Sequence, residues 1–361
     1  MTNDESRTRL RSIYLGLRRP ILKLWKSPPP VGSLPTSFNS ILVISQRRLG
    51  DIALEIPSLR LLRQAYPEAT LGVVAPGQYQ SLLRLACRHQ LSFDSSTGMG
   101  RKLRETVRKH QWQLAIDLTT DYHISSALLA VSTSASIRIG FANAGRERFF
   151  NVVIPQEREH MVDRFQRPLR VLGVGNQPLL APLEIPELPV DLPGNNTQQK
   201  RVGLHAGARS WTQRWPPEYF GRLAKIIHER GHQCLVLGLR EERDLVEKII
   251  EQSNKTAQPV WLSGDILEFA AVLKRLNLLI CNNSGPLHLA CLLNVPTLSF
   301  MGPTVKERWW PLGGKARVLR RGTLPCIGCN MGYCRIGTHA CLREITPEMA
   351  FEACISALHP A

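Results

Sequence analysis

Acidic residues and aromatics are scarce in this chain of 361 residues, and long apolar runs are missing. Against 46 lysines and arginines stand 29 aspartates and glutamates, for a formal charge of +17 and a pI near 9.9. Such a balance favours an anionic partner: nucleic acid, an acidic membrane face or a phosphorylated substrate. Aromatics make up only 6% of residues, and no RNA- or DNA-binding motif stands among the loops, which argues against nucleic acid. No stretch approaches the ~20 apolar residues that span a bilayer, and the N-terminus has no apolar signal core, so a cytoplasmic protein is expected. Also absent is any Asp-x-Asp, the pair that lets a divalent cation bridge a diphosphate. There is no tandem repeat and no low-complexity tract. What is present is 43% hydrophobic residues, enough for two packed domains, and nine cysteines, expected to be reduced thiols.

Residues 1–40 read as a basic extension. Ile13, Leu17, Ile21, Leu24 and Trp25 fall along one side of a helix, with Arg7, Arg11, Arg18, Arg19, Lys23 and Lys26 on the other and a kink at Pro20. The segment either lies on an anionic membrane surface or forms a mobile tail or a helix packed on the body. Pro28-Pro29-Pro30 ends it.

From residue 41 strands and helices alternate. Strands are expected at 41–44, 70–74, 113–118 and 137–141, with helices around Ile52–Leu59 and Ile124–Val131. Five prolines between Gln177 and Lys200 mark 177–200 as a linker between a first domain at 41–176 and a second at 201–322. In the second domain strands are expected at 201–205, 233–237, 259–262, 276–281 and 297–300. A cysteine-rich tail and a C-terminal helix occupy 323–361. The fold class is therefore α/β: two doubly wound parallel-sheet, Rossmann-like domains, with ligands expected in a cleft lined by loops after the strand ends.

Those loops carry the chemistry. Asn282-Asn283-Ser284-Gly285-Pro286-Leu287-His288 runs from a strand into a helix start, where free N–H groups and the dipole favour a phosphate. Ser45-Gln46-Arg47-Arg48-Leu49-Gly50-Asp51 is a tight basic loop ending in a carboxylate, which is either a helix N-cap or a general base. His205-Ala206-Gly207-Ala208-Arg209-Ser210, followed by Gln213-Arg214-Trp215-Pro216, sets arginines beside a proline-started helix. His288 lines the phosphate turn or serves as a structural histidine.

These segments, with Phe300-Met301-Gly302-Pro303-Thr304 and the weaker Leu114–Leu118 and Arg138–Phe141, resemble glycosyltransferase family 9, the ADP-heptose lipopolysaccharide heptosyltransferases. The likeness runs collinearly from about Ile41 to Cys354. It implies a GT-B architecture and inverting, metal-independent transfer of a heptose or related sugar from an ADP-sugar to a phosphorylated glycolipid acceptor at the inner face of the membrane. No cofactor is then needed for catalysis. Carried onto this sequence, the resemblance makes Asp51 the base and Arg209, Arg214, Gln213, Glu242, Asn283, Ser284, Gly285 and His288 the donor side. Arg47, Arg48 and Gly50 fall on the acceptor side. Glu242 would meet the ribose hydroxyls, with Glu241 fitting nearly as well. Where the family usually has aspartate this chain has Asn283, where it usually has a basic residue the chain has Gln213, and Ser45 also replaces a common basic residue. These departures leave open a different nucleotide sugar with another surface-glycan acceptor, or a sugar-nucleotide-binding member without catalysis.

Cys326, Cys329, Cys334 and Cys341 follow a C-x2-C-x4-C-x6-C spacing. The first pair suits a structural zinc, while the looser second spacing suits reduced thiols or a disulfide equally.

Overall fold

The computed structural model describes residues 14–18, 20–22, 24–175, 181–194 and 198–358. The chain divides into two compact units, Met1–Leu180 and Ala181–Ala361, and the division falls within the proline-rich 177–200 stretch. Residues 1–13, which include Arg7, Arg11 and Ile13, and parts of the 177–200 stretch lie outside the described residues.

In the first unit six parallel strands stand in the order β3-β2-β1-β4-β5-β6: β1 (Ser40–Ile44), β2 (Thr70–Ala75), β3 (Leu91–Asp94), β4 (Leu114–Asp117), β5 (Ile137–Phe141) and β6 (Val152–Ile154). Helices α1 (Leu49–Ala65), α2 (Gln80–Ala86), α3 (Arg101–Arg108), α4 (Ser125–Ser132) and α5 (Met161–Val171) connect or cover them. The central strands are buried on both faces, as their continuous apolar runs require.

The second unit repeats the plan with β7 (Arg201–His205), β8 (Gln233–Leu239), β9 (Gln258–Leu262), β10 (Leu278–Asn282), β11 (Thr297–Phe300) and β12 (Ala316–Leu319), ordered β12-β11-β10-β7-β8-β9. Its helices are α6 (Pro217–Glu229), α7 (Arg243–Gln252), α8 (Ile266–Lys274), α9 (Gly285–Leu292), α10 (Lys306–Trp309), α11 (Ala340–Arg343) and α12 (Pro347–Leu358). Numbered within its own unit, each sheet has the 3-2-1-4-5-6 order of a dinucleotide-binding fold, with its switch point between the first and fourth strands. The tail closes the second core: Leu342, Ile345, Phe351 and Cys354 pack with Trp215, Phe220 and Phe300.

Three strands have no counterpart in the sequence reading: β3, β6 and β12, each at a sheet edge. β3 and β12 are interrupted by polar residues, Ser92 and Arg317, and β6 has only three residues.

The N-terminal segment departs from its helical-wheel reading. Residues 14–18 and 20–22 are helical, but Arg18, assigned to the solvated basic side, is buried and donates to the carbonyls of Tyr122 and Ala144. Leu22 joins the first core, and the Trp25 ring stands 5.0 Å from that of Phe149. Buried carbonyls need donors, and a guanidinium supplies several, so the cation turns inward while Leu17, Ile21 and Leu24 face out.

Candidate active site

A first group of candidate residues gathers at the switch point of the first unit. Register pairs Ile44 with Asp117, so the loops leaving β1 and β4 start side by side. Gln46 bridges them, its Nε2 donating to Leu118 O at 2.9 Å and to Thr120 Oγ1 at 3.3 Å. Beneath lies a fully buried ion pair, Arg146 Nη2 to Asp117 Oδ2 at 2.6 Å. Arg146 also donates to the carbonyls of Thr119 and Asp121 and to the hydroxyls of Thr119 and Ser126.

Asp51 stands in the first turn of α1 with 8% of its surface exposed. It is not the N-cap: that position is Arg48, in extended conformation and with no side-chain cap. A carboxylate in the first turn is held favourably by the helix dipole. Arg47 and Arg48 are exposed on the turn before it, and Gly50 lies inside the helix.

A second group, within the second unit, gathers around β7, β8 and β10. Register pairs Cys281 with His205, which brings the 205–210 loop beside the 282–285 turn. Asn282 joins them, donating to Ala206 O at 2.7 Å and accepting from Trp215 N–H at 2.8 Å. Trp215 is fully buried, stacks on Phe300 with ring centroids 4.0 Å apart, and donates its indole N–H to Ile345 O at 2.8 Å. It therefore fixes Arg214, which is exposed and donates from Nε to Ala208 O at 2.9 Å. Arg209 is exposed on the same loop. Gln213 reaches Thr304 Oγ1 at 3.5 Å.

Ser284 is the N-cap of α9, with Gly285 and Pro286 opening the helix. The Ser284 hydroxyl bends back to Asn282 O at 3.3 Å rather than capping. That leaves the helix start open to an anion. Asn283 donates to Trp309 O at 3.1 Å. His288 is buried, its ring 5.9 Å from that of Trp309.

The structure separates the two adjacent glutamates. Glu241 is exposed, whereas Glu242 is partly covered, accepts from Leu239 N–H at 3.1 Å and lies against Gly207. A Cβ at position 207 would stand 2.5 Å from Glu242 Oε1 and 2.8 Å from His205 Cε1, which is why the loop has glycine there. Burial pushes the pKa of the His205 imidazole down, partly offset by Glu242.

Cys326, Cys334 and Cys341, with Cys329, line one small cavity of about 40 Å³ with His339, and all four thiols are free. Burial, then the three neighbouring thiols, pushes Cys341 up to about 11. Among the described residues no three or more His, Cys, Asp or Glu side chains are gathered so as to hold a metal ion.

Sequence reading missed Glu55, which binds the β1–α1 turn, and the structural parts of Asn282, Gln46 and the Asp117–Arg146 pair. Glu55 had left a signal: it is the one charged residue in the run Ile52-Ala53-Leu54-Glu55-Ile56.

A model of glycosyltransferase family 9 (heptosyltransferase) matches residues 100–338. Lipopolysaccharide heptosyltransferase 2 of Escherichia coli K12 is 27% identical over 346 residues, spanning 86% of this chain and 96% of the relative. Among solved structures, a family 9 glycosyltransferase from Veillonella parvula aligns with a TM-score of 0.75 at 22% identity, over 91% of this chain and 99% of its own. The E. coli heptosyltransferase WaaC, solved with ADP-2-deoxy-2-fluoro heptose, aligns with a TM-score of 0.66 at 16% identity, over 88% and 99%. Two parallel-sheet units, each ordered 3-2-1-4-5-6, make the GT-B fold. The chain belongs to glycosyltransferase family 9 (heptosyltransferase).

Proposed function

We propose that the protein is an inverting, metal-independent heptosyltransferase that moves a heptose, or a closely related sugar, from an ADP-sugar to a phosphorylated lipid-linked core. The relative's name and the ADP-heptose analogue bound to its structural neighbour support the donor and the acceptor class. The observation that carries the mechanism is the placement of Asp51, covered and in the first turn of α1 at the switch point of its sheet. Asp51 takes the proton from the acceptor hydroxyl as that oxygen attacks the anomeric carbon. A carboxylate is a weak base toward an alcohol, so the proton moves late, as charge builds on the departing diphosphate. Arg209, Arg214 and the amides opening α9 take up that charge, in the place where other enzymes use a divalent cation. Glu242 receives the ribose hydroxyls, Asn283 and Gln213 the sugar, and Arg47 and Arg48 the acceptor phosphates.

The acceptor is a lipid, and the N-terminal segment suits contact with the anionic cytoplasmic face of a membrane. Of the twelve large hydrophobics exposed on the described surface, five (Tyr14, Leu17, Ile21, Leu24 and Trp25) lie on this one stretch at helical spacing. Lysines and arginines interleave with them in the sequence. No described helix is long and apolar enough to cross a bilayer.

ADP release from ADP-heptose, with and without a lipid-linked core acceptor, tests the reading. Asp51→Asn is expected to lower acceptor-dependent release by ~10²–10⁴-fold, with inverted anomeric configuration in the product by NMR and no loss on chelation. Asp51→Asn turning over as fast as the parent, or a product of retained configuration, would overturn the assignment.

A further inference from the structure

Glu55 follows Asp51 by one helical turn on α1, and its side chain folds back to the end of β1. Oε2 lies 2.6 Å from Ser45 Oγ, and Oε1 accepts from Gln46 N–H at 2.8 Å. The residue has no exposed surface. Two other carboxylates act on it, Asp51 from its own helix and Asp117 from the end of β4. The buried cation of this region, Arg146, is engaged by Asp117. On the helices packed against α1 the charged side chains have partners elsewhere: Arg164 with Glu159, Arg167 with Glu157 and Glu159, Arg170 with Asp163, and Arg84 with Ser92. Burial first, then Asp51 and Asp117, pushes the Glu55 carboxyl up to about 8 against the opposing hydrogen bonds. At neutral pH the group is therefore a neutral acid. In the structure the Ser45 hydroxyl donates to Oε2 while Oε1 accepts from Gln46 N–H.

We propose that Glu55 is a positioning residue for transfer: its carboxyl clamps the turn Ser45–Arg48 onto α1 and so sets where Asp51, Arg47 and Arg48 stand. The proposal rests on the reading of Asp51 as the base. Gln46 extends the clamp to the β4 loop through Leu118 and Thr120. The carboxyl thus ties both sides of the switch point to the helix that bears Asp51. Once ionised, the same group is a buried charge beside two others of its own sign, and it is relieved only if the turn opens to water. The clamp then releases, and Asp51 loses its placement.

The test compares pH profiles of ADP release for the parent, Glu55→Gln, Glu55→Leu and Ser45→Ala. Glutamine reproduces the neutral acid, with its carbonyl accepting from Gln46 and its NH₂ donating to Ser45. Expected for Glu55→Gln is a pH 7 rate within about 3-fold of the parent and no alkaline fall, whereas the parent drops about 10-fold by pH 9 for a single group titrating near 8. Glu55→Leu is expected to lose ~10–100-fold at every pH through misplacement of the base. Ser45→Ala removes a bond that favours the ionised form, so its alkaline limb moves to higher pH, which keeps the test open if Glu55→Leu does not fold. An unchanged alkaline limb in Glu55→Gln, or a loss as deep as that of Glu55→Leu, would overturn the proposal. Failure of the transfer reading looks different: the parent itself then releases no ADP. In that event the urea midpoint against pH decides, since the clamp requires the parent's midpoint to fall from pH 6 to 9 while that of Glu55→Gln stays level.

Discussion

Removing the Asp117 carboxylate isolates the energetic centre of the first unit. Arg146 and Asp117 have no exposed side-chain surface, and the guanidinium makes five hydrogen bonds, of which the carboxylate supplies one at 2.6 Å. Asp117→Ala leaves four neutral acceptors and a buried positive charge without a counter-ion. Breaking one side of such a pair costs ~3–5 kcal/mol. Arg146→Met strands the carboxylate instead, and it also takes donors from the carbonyls of Thr119 and Asp121, each worth ~1–3 kcal/mol when left bare. The two single variants should therefore be comparably unstable. The double variant should cost clearly less than their sum, because it carries no orphaned charge. At ~2–4 °C per kcal/mol for a unit of this size, each single change lowers the melting temperature of the first unit by roughly 6–20 °C. Urea unfolding of the four proteins, with hydrogen exchange followed in peptides of residues 114–150, measures the cycle. Asp117→Ala within ~1 kcal/mol of the parent, or strictly additive costs, would refute the view that this pair holds the β4 and β5 loops together.

Three further outcomes follow from the geometry. Gly207→Ala puts a methyl group against Glu242 and His205, and should raise the KM for the nucleotide sugar at least several-fold while leaving the melting temperature nearly unchanged. Trp215→Ala removes a fully buried ring stacked on Phe300 and an indole bond to Ile345, and should cost ~3–5 kcal/mol in chemical denaturation. Glu55 titrates near 8 when folded and near 4.5 as a free side chain, so its contribution to stability is full below about 4.5 and is lost as pH rises through 8. Denaturation from pH 5 to 9 should show a decline on the order of a few kcal/mol in the parent that Glu55→Gln lacks.

Much of the fold was legible because burying a parallel strand on both faces demands an apolar run, and β1, β4 and β10 each show one. Strands at the sheet edges escape that demand: β3 and β12 are broken by Ser92 and Arg317, and β6 is only three residues long. The places where a strand end runs into a helix start were legible for a related reason, and Asp51 and Ser284 lie at two such starts.

What linear order does not encode is which polar groups meet once the loops are folded. Glu55 reaching back to Ser45 and Gln46, Asn282 joining Ala206 to Trp215, and Glu242 rather than Glu241 turning onto Gly207 are all settled by burial. Each buried donor or acceptor must find a partner within about 3 Å, and only the packed chain determines which one is there. The inward turn of Arg18 has the same origin. A helical wheel assigns a cation to the solvent, but the bare carbonyls of Tyr122 and Ala144 draw it in, and leucines take its place outside.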